Sequence, residues 1–191
     1  MILGITGISG SGKHTAGNFL KQKNCVVLDA DKIGHYLYRP YTRVWKGIVD
    51  HFGEGILGAN DKINRQKLGK IVFDPNNPGE LSKLNKITHP EIKRHIKNEI
   101  HHLRNRKPNI VIIGSLWEEI GMPEYCEKVL LITANKELAF KRIKKRDGIS
   151  QNAFNTRIEN QTAPPNPDFT IENEGDFQQF YQELNKLPLD K

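Results

Sequence analysis

The stretch GISGSGKHT, Gly7 to Thr15, follows the apolar run Ile2 to Thr6 and leads directly into a segment of helical character. Gly7, Gly12 and Lys13 fall in the frame GxxxxGK, and in a strand-to-helix context that frame predicts a phosphate-binding loop. Glycines let consecutive backbone N–H groups turn inward without side-chain obstruction. The helix N-terminus adds its positive dipole end, and Lys13 reaches the outer phosphates of a nucleotide. Gly10, Ser11, His14 and Thr15 complete the candidate cradle, and ATP is the expected ligand. A glycine-rich turn that happens to hold a lysine is the plainer alternative.

One position departs from the pattern. The residue after the lysine is ordinarily Ser or Thr, whose hydroxyl holds Mg²⁺, and here it is His14. Thr15 is a poor substitute, because one step along a helix turns a side chain by about 100°. Mg²⁺ prefers oxygen ligands, whereas imidazole suits Mn²⁺ or Zn²⁺. His14, Thr15 and Asp29 are the candidate metal residues, with Mg²⁺, or else Mn²⁺, as the expected ion.

Outward from the loop, short apolar runs recur at Cys25 to Leu28, Ile110 to Ile113, Val129 to Ile132 and Phe169 to Ile171, with helical stretches between them. This alternation predicts a parallel α/β sheet in a three-layer arrangement, and the unbroken apolar character predicts strands buried on both faces. The interval from Asp31 to Asn109 is far longer than a plain crossover needs. It carries helical segments at Val44 to Phe52, Arg65 to Phe73, Glu80 to Thr88 and Glu91 to Arg104, with Gly53, Gly58, Pro75, Pro78 and Pro90 as breakers. The reading is one domain: core 1–31, 109–135 and 166–191, a helical insertion 32–108 for a second substrate, and a segment 136–165. That last segment holds a basic helix, Lys136 to Arg146, a break at Gly148, and a helix from Ser150, its N-cap, to about Gln161. It is either a lid over phosphates or a solvated charged face.

Length and composition agree with this plan. The chain has 191 residues, 37% hydrophobic and 27% charged, which is an ordinary globular balance. No apolar run approaches the roughly 18 residues that a membrane span needs, and MILGIT turns into the loop too soon for a signal peptide, so a cytoplasmic protein without a membrane partner is expected. Cys25 and Cys126 read as reduced thiols. A formal charge of +7 calls for an anionic partner, which charge alone does not specify. Asp29 and Asp31 stand at the carboxyl end of the second strand, on the sheet edge where the loop must lie. A carboxylate there serves phosphoryl transfer as proton acceptor or as part of a metal's shell, or it caps the helix beginning near Lys32.

With these residues in view, the chain resembles the dephospho-CoA kinase family nearly from end to end. The resemblance is carried by GxxGSGK, VLDADKIGH (Val27 to His35), FGEGIL, INRQKLGKIVF, LNKITHP (Leu84 to Pro90), RIKKRDGIS (Arg142 to Ser150) and RIENQ (Arg157 to Gln161). It implies transfer of the γ-phosphate of ATP to the ribose 3′-hydroxyl of dephospho-CoA, on a P-loop NTPase fold of five parallel strands with a CoA-binding insertion and a lid. By similarity Asp31 is the general base, and Lys13 and Arg142 stabilise the transferring group. Arg142 and Arg146 join the ATP site, and Asp31, His35, Asn85, His89 and Pro90 the acceptor site. Three departures stand out: His14, SLWEE (Ser115 to Glu119) in place of the family's PLLFE, and a short TAPPNP segment without basic residues after Gln161.

Three other readings remain. A nucleoside or nucleoside-monophosphate kinase of the same fold is disfavoured by the THP element and the long insertion. A nucleotide-binding protein that has lost transfer is favoured only by His14. Nucleic-acid binding rests on the charge and on the basic stretch Lys93 to Lys107, which has no recognised module. The expected partners are ATP and dephospho-CoA, not nucleic acid, in a monomer or weak homo-oligomer.

Overall fold

Five strands, β1 (Ile2–Thr6), β2 (Cys25–Asp29), β3 (Asn109–Ile113), β4 (Lys128–Thr133) and β5 (Phe169–Glu172), form one parallel sheet in the order β2-β3-β1-β4-β5. The computed structural model describes residues 1–74, 76–104, 106, 109–115, 120–159, 161 and 163–189. The chain divides into two compact units, one formed by Met1–Ala30 with the chain from Glu99 onward, the other by Asp31–Asn98.

In the sheet unit, β1 and β3 are buried along their whole length, as continuous apolar strands should be. The other strands depart from that expectation. β4 buries only Leu130 and Ile132, and β5 only Ile171. Those residues face one core with Leu3, Ile5, Val111 and Ile113, against α1 (Lys13–Gln22) through Ala16 and Leu20 and α8 (Phe177–Asn185) through Phe180 and Leu184. Leu131 and Thr133, pointing the other way, line a cavity instead.

Topology fixes where ligands go. From β1 the chain crosses past β3 to β2, while β3 returns across β1 to β4, so the connections diverge beside the carboxyl end of β1. That is the switch point at which such sheets bind ligands. Ile5 and Asp29 both pair with Ile113, so the loop after β1 and the end of β2 share one edge. β2 passes without a loop into α2 (Ala30–Leu37), two residues before the expected start. Asp31 therefore lies inside the first turn rather than before it, and Asp29 closes the strand.

The second unit is helical. α3 (Arg43–Phe52) is capped by Thr42, which accepts from the Trp45 amide, and α4 (Arg65–Val72) by Asn64. Val44, Ile48, Ile56, Leu68, Val72 and Leu84 make its core. Pro90 does not separate two helices as the breaker reading expects. A single helix, α5 (Glu80–Arg104), runs through it and across the boundary between the units. Leu84, Thr88, Ile92, Ile96 and Ile100 are buried at every fourth position straight across the proline, so packing continues on both sides of it. Pro90 removes the hydrogen bond to Lys86, but both residues are exposed and water can take over that carbonyl.

In the sheet unit again, α6 (Lys136–Asp147) and α7 (Gln151–Glu159) form a hairpin. Gly148 caps α6 at φ 68°, and Ser150 Oγ accepts from the Ala153 amide at 3.3 Å, so the expected break and cap are both present. Ala139, Ile143 and Phe154 are its packed interior. No described helix is long and apolar enough to cross a membrane.

Candidate active site

The loop from Gly7 to Gly12 holds its shape because backbone crowds it. Gly7 and Gly10 sit at φ 140° and 89°, and a Cβ on either would run into backbone, the Ile132 carbonyl for Gly7 and that of Ala139 for Gly10. Lys13 is only 4% exposed and folds back over the loop, its Nζ donating to the Gly7 carbonyl at 2.6 Å and the Ile8 carbonyl at 2.9 Å. At the start of α1, Gly12 provides no side-chain cap and the first turn holds no acidic residue. The leading amides and the positive dipole end are thus left for an external anion. The buried hydroxyls of Thr6 and Ser11, at the two ends of the loop, have no hydrogen-bond partner among the described residues. A glycine-rich turn of purely structural use would not concentrate uncompensated donors in this way.

Arg142 and Asn173 brace the loop from one side. Arg142 donates to the Gly10 carbonyl at 3.1 Å and, through its other terminal nitrogen, to the Asn173 backbone and side-chain oxygens at 3.2 and 3.0 Å. Asn173 is 2% exposed, continues the β4 to β5 ladder by donating to the Thr133 carbonyl, and donates from its carboxamide to the Ser11 carbonyl at 2.8 Å. Burial lowers the Arg142 pKa from its usual value, against the opposing charge of Glu174, and the guanidinium remains protonated. Sequence reasoning missed Asn173, since nothing distinguishes an asparagine just past an edge strand until the strands are ordered. Arg146, grouped with Arg142 from the sequence, turns instead to the Asp147 carboxylate at 2.7 and 2.8 Å. Hydrogen bonds from Arg146 and Arg157 hold Asp147 below the usual carboxylate range.

His14 is half-buried, and its Nε2 lies 3.0 Å from Asp29 Oδ2, with Asp29 itself buried. Two of the three metal candidates are therefore joined, and the third, Thr15, one step round the helix, is half-buried. Asp31 follows Asp29 by two residues and opens the helical unit.

Within that unit, His35 is exposed, its Nε2 3.1 Å from Arg65. α2 lies along α5, with Gly34 against Ile92 and the Tyr36 and His95 rings 6.1 Å apart. Asn85 and His89, four residues apart, share a half-buried face, and Pro90 is exposed. Tyr41 and Trp45 were not foreseen: both donate to Asp61, at 2.6 and 2.7 Å, and their rings lie 5.3 Å apart. Of the SLWEE segment, Leu116 to Glu119 lie outside the described residues, as do Asn160 of RIENQ and Thr162 of TAPPNP.

A parallel sheet with a phosphate-binding loop at its switch point, a buried loop lysine and a basic helical hairpin after β4 defines a P-loop kinase, a phosphotransferase. Known proteins narrow the class. The dephospho-CoA kinase family model matches residues 1–178. A dephospho-CoA kinase of Lactobacillus johnsonii is 38% identical over 160 residues, covering 83% of this chain and 80% of that one. Its counterpart from Lactobacillus acidophilus is 33% identical over 97% of this chain and 94% of its own. The dephospho-CoA kinase structure from Campylobacter jejuni superposes with a TM-score of 0.63 at 27% identity, covering 97% of this chain and 94% of that one. The chain belongs to the dephospho-CoA kinase family.

Proposed function

We propose that the protein transfers the γ-phosphoryl group of ATP to the ribose 3′-hydroxyl of dephospho-CoA, giving CoA and ADP, the last step of coenzyme A synthesis. The observation that carries this reading is the loop itself: Lys13 held over buried carbonyls beside an uncapped, uncompensated start of α1. The amides of Gly10 and of Gly12 to Thr15 bind the phosphates, the Ser11 amide donating to the Ile8 carbonyl instead, and the Lys13 ammonium follows negative charge as it moves to the β/γ-bridging oxygen. Arg142 keeps its Nε–H and one terminal N–H outside the brace, which supports a second cation for the transferring group. The acceptor oxygen attacks the γ-phosphorus as the bond to the bridging oxygen breaks, ADP leaves with the electron pair, and the hydroxyl proton passes to Asp31. His35, Asn85, His89 and Pro90 are assigned to the acceptor.

Asp29 supplies a carboxylate of the kind Mg²⁺ takes, with His14 fixing its orientation, although no hydroxyl follows Lys13. A divalent ion held there would neutralise phosphate charge. The proposed setting is the cytoplasm, with the protein a monomer or weak homo-oligomer.

The test is ADP release from ATP with Mg²⁺ or Mn²⁺ and a panel of dephospho-CoA, adenosine and CMP. Turnover with dephospho-CoA alone, lost in Asp31→Asn, is expected. Preference for another acceptor would overturn the substrate, and full turnover in Asp31→Asn would remove the base.

A further inference from the structure

The Ser9 amide and the Gln161 carboxamide form a contact that the phosphate chemistry above leaves unused. The Ser9 backbone N–H donates to Gln161 Oε1 at 2.7 Å, and Gln161 Nε2 donates to Ser9 Oγ at 3.0 Å. A backbone N–H can only donate, so the carboxamide oxygen must face it and the orientation of the amide is fixed. Ser9 is 5% exposed, so both bonds lie where a lost partner is costly. Gln161 follows α7, and its side chain lines a cavity of about 190 Å³ with Gly7, Ile8, Thr133 and Ala134. The hairpin α6–α7 is therefore tied to the loop at two separate points. Arg142 on α6 holds Gly10, and Gln161 beyond α7 holds Ser9.

These ties have different consequences. The Ser9 N–H belongs to the Ile8–Ser9 peptide, whose carbonyl accepts from Lys13 Nζ at 2.9 Å and from the Ser11 amide at 3.1 Å. Gln161 thus holds the N–H side of the peptide whose oxygen meets the Lys13 ammonium, and its second bond, to Ser9 Oγ, fixes the carboxamide in place. We propose that Gln161 is a positioning residue, which sets the Ser9 peptide and so couples docking of the hairpin to correct placement of the phosphoryl group being transferred. The inference rests on ATP occupying the loop.

Steady-state kinetics and nucleotide binding on the full chain test it, using Gln161→Ala, Gln161→Glu and Ser9→Ala. Gln161→Ala is expected to lower kcat about 10- to 100-fold with a much smaller change in the KM for dephospho-CoA, and to raise the share of ATP lost to water. Ser9→Ala keeps the amide bond and loses only the hydroxyl partner, so its fall is smaller and the double variant resembles Gln161→Ala. Gln161→Glu can still accept from the amide and from the Ser9 hydroxyl, so it keeps the geometry while placing a negative charge beside the phosphates. A raised KM for ATP with kcat above that of Gln161→Ala is expected, and this variant keeps the question open to test should the alanine form fold poorly. Wild-type kcat and coupling in Gln161→Ala, or losses that simply add in the double variant, would overturn the proposal. Failure of the unaltered protein to bind ATP would instead overturn the reading of the loop.

Discussion

The phosphate loop and the helical unit Asp31–Asn98 satisfy their polar groups in opposite ways. Around the loop, buried and half-buried side chains reach across more than a hundred positions of sequence: Arg142 to Gly10, Asn173 to Ser11, Gln161 to Ser9. In the helical unit the side-chain pairs are exposed and join residues nearer in sequence, from Glu91 with Arg94 and Glu80 with Lys83 to His35 with Arg65, while an apolar core carries the stability. A loop that must present donors to an anion cannot bury them against its own neighbours, so distant elements hold it. A helical unit that only has to keep its faces apart can rely on hydrophobic packing and local capping.

The largest test of this contrast is Lys13→Ala. Removing the ammonium takes away the charge that meets the outer phosphates, and turnover should fall by about 10²- to 10³-fold. A loss below tenfold would mean that the amides alone carry the loop. Ile48→Ala opens a cavity in the helical core and should cost about 2–5 kcal/mol there. Hydrogen exchange should rise across Asp31–Asn98 while ATP affinity stays near wild type; loss of ATP binding would erase the distinction between the units.

Asn173→Ala strands the Ser11 carbonyl and removes the Arg142 bond to the side-chain oxygen, and about 1–3 kcal/mol should be lost in thermal unfolding, together with weaker ATP binding. His14→Ser restores a hydroxyl after the lysine and removes the imidazole from Asp29. Mn²⁺ binding followed by EPR should weaken relative to Mg²⁺, and unchanged metal preference would leave His14 without a role at the ion. The smallest effect concerns Asp147. Its folded pKa lies below the unfolded value, so its contribution is present above the ordinary carboxylate range and is lost as pH falls through the lowered value. Acid should loosen the α6–α7 hairpin below about pH 4, measured by hydrogen exchange, and Asp147→Asn should remove that dependence.

Much of the fold was legible along the chain because its signals are local. Five apolar runs marked five strands, Ser150 and Gly148 marked the turn between α6 and α7, and GxxxxGK marked the loop. Pro90 misled because a local rule met a longer one: a buried stripe at every fourth residue outweighed one missing hydrogen bond. Arg142 and Arg146 looked equivalent in KRIKKR, yet they lie four residues apart near a helix end. The first donates to the loop at Gly10, and the second meets the Asp147 carboxylate next to it.

By itself, then, the sequence determined that a phosphate-binding loop joins β1 to α1, that an aspartate closes β2, and that a long helical insertion follows. Each of these depends on residues close together in the chain. Tertiary structure alone decided which groups hold that loop in place. Asn173 and Gln161 act on it only because strand order and the hairpin return them to it, and no spacing along the chain records that return. It also decided that His14, the residue out of pattern, would meet Asp29, since that pairing needs α1 and the end of β2 on one edge of the sheet.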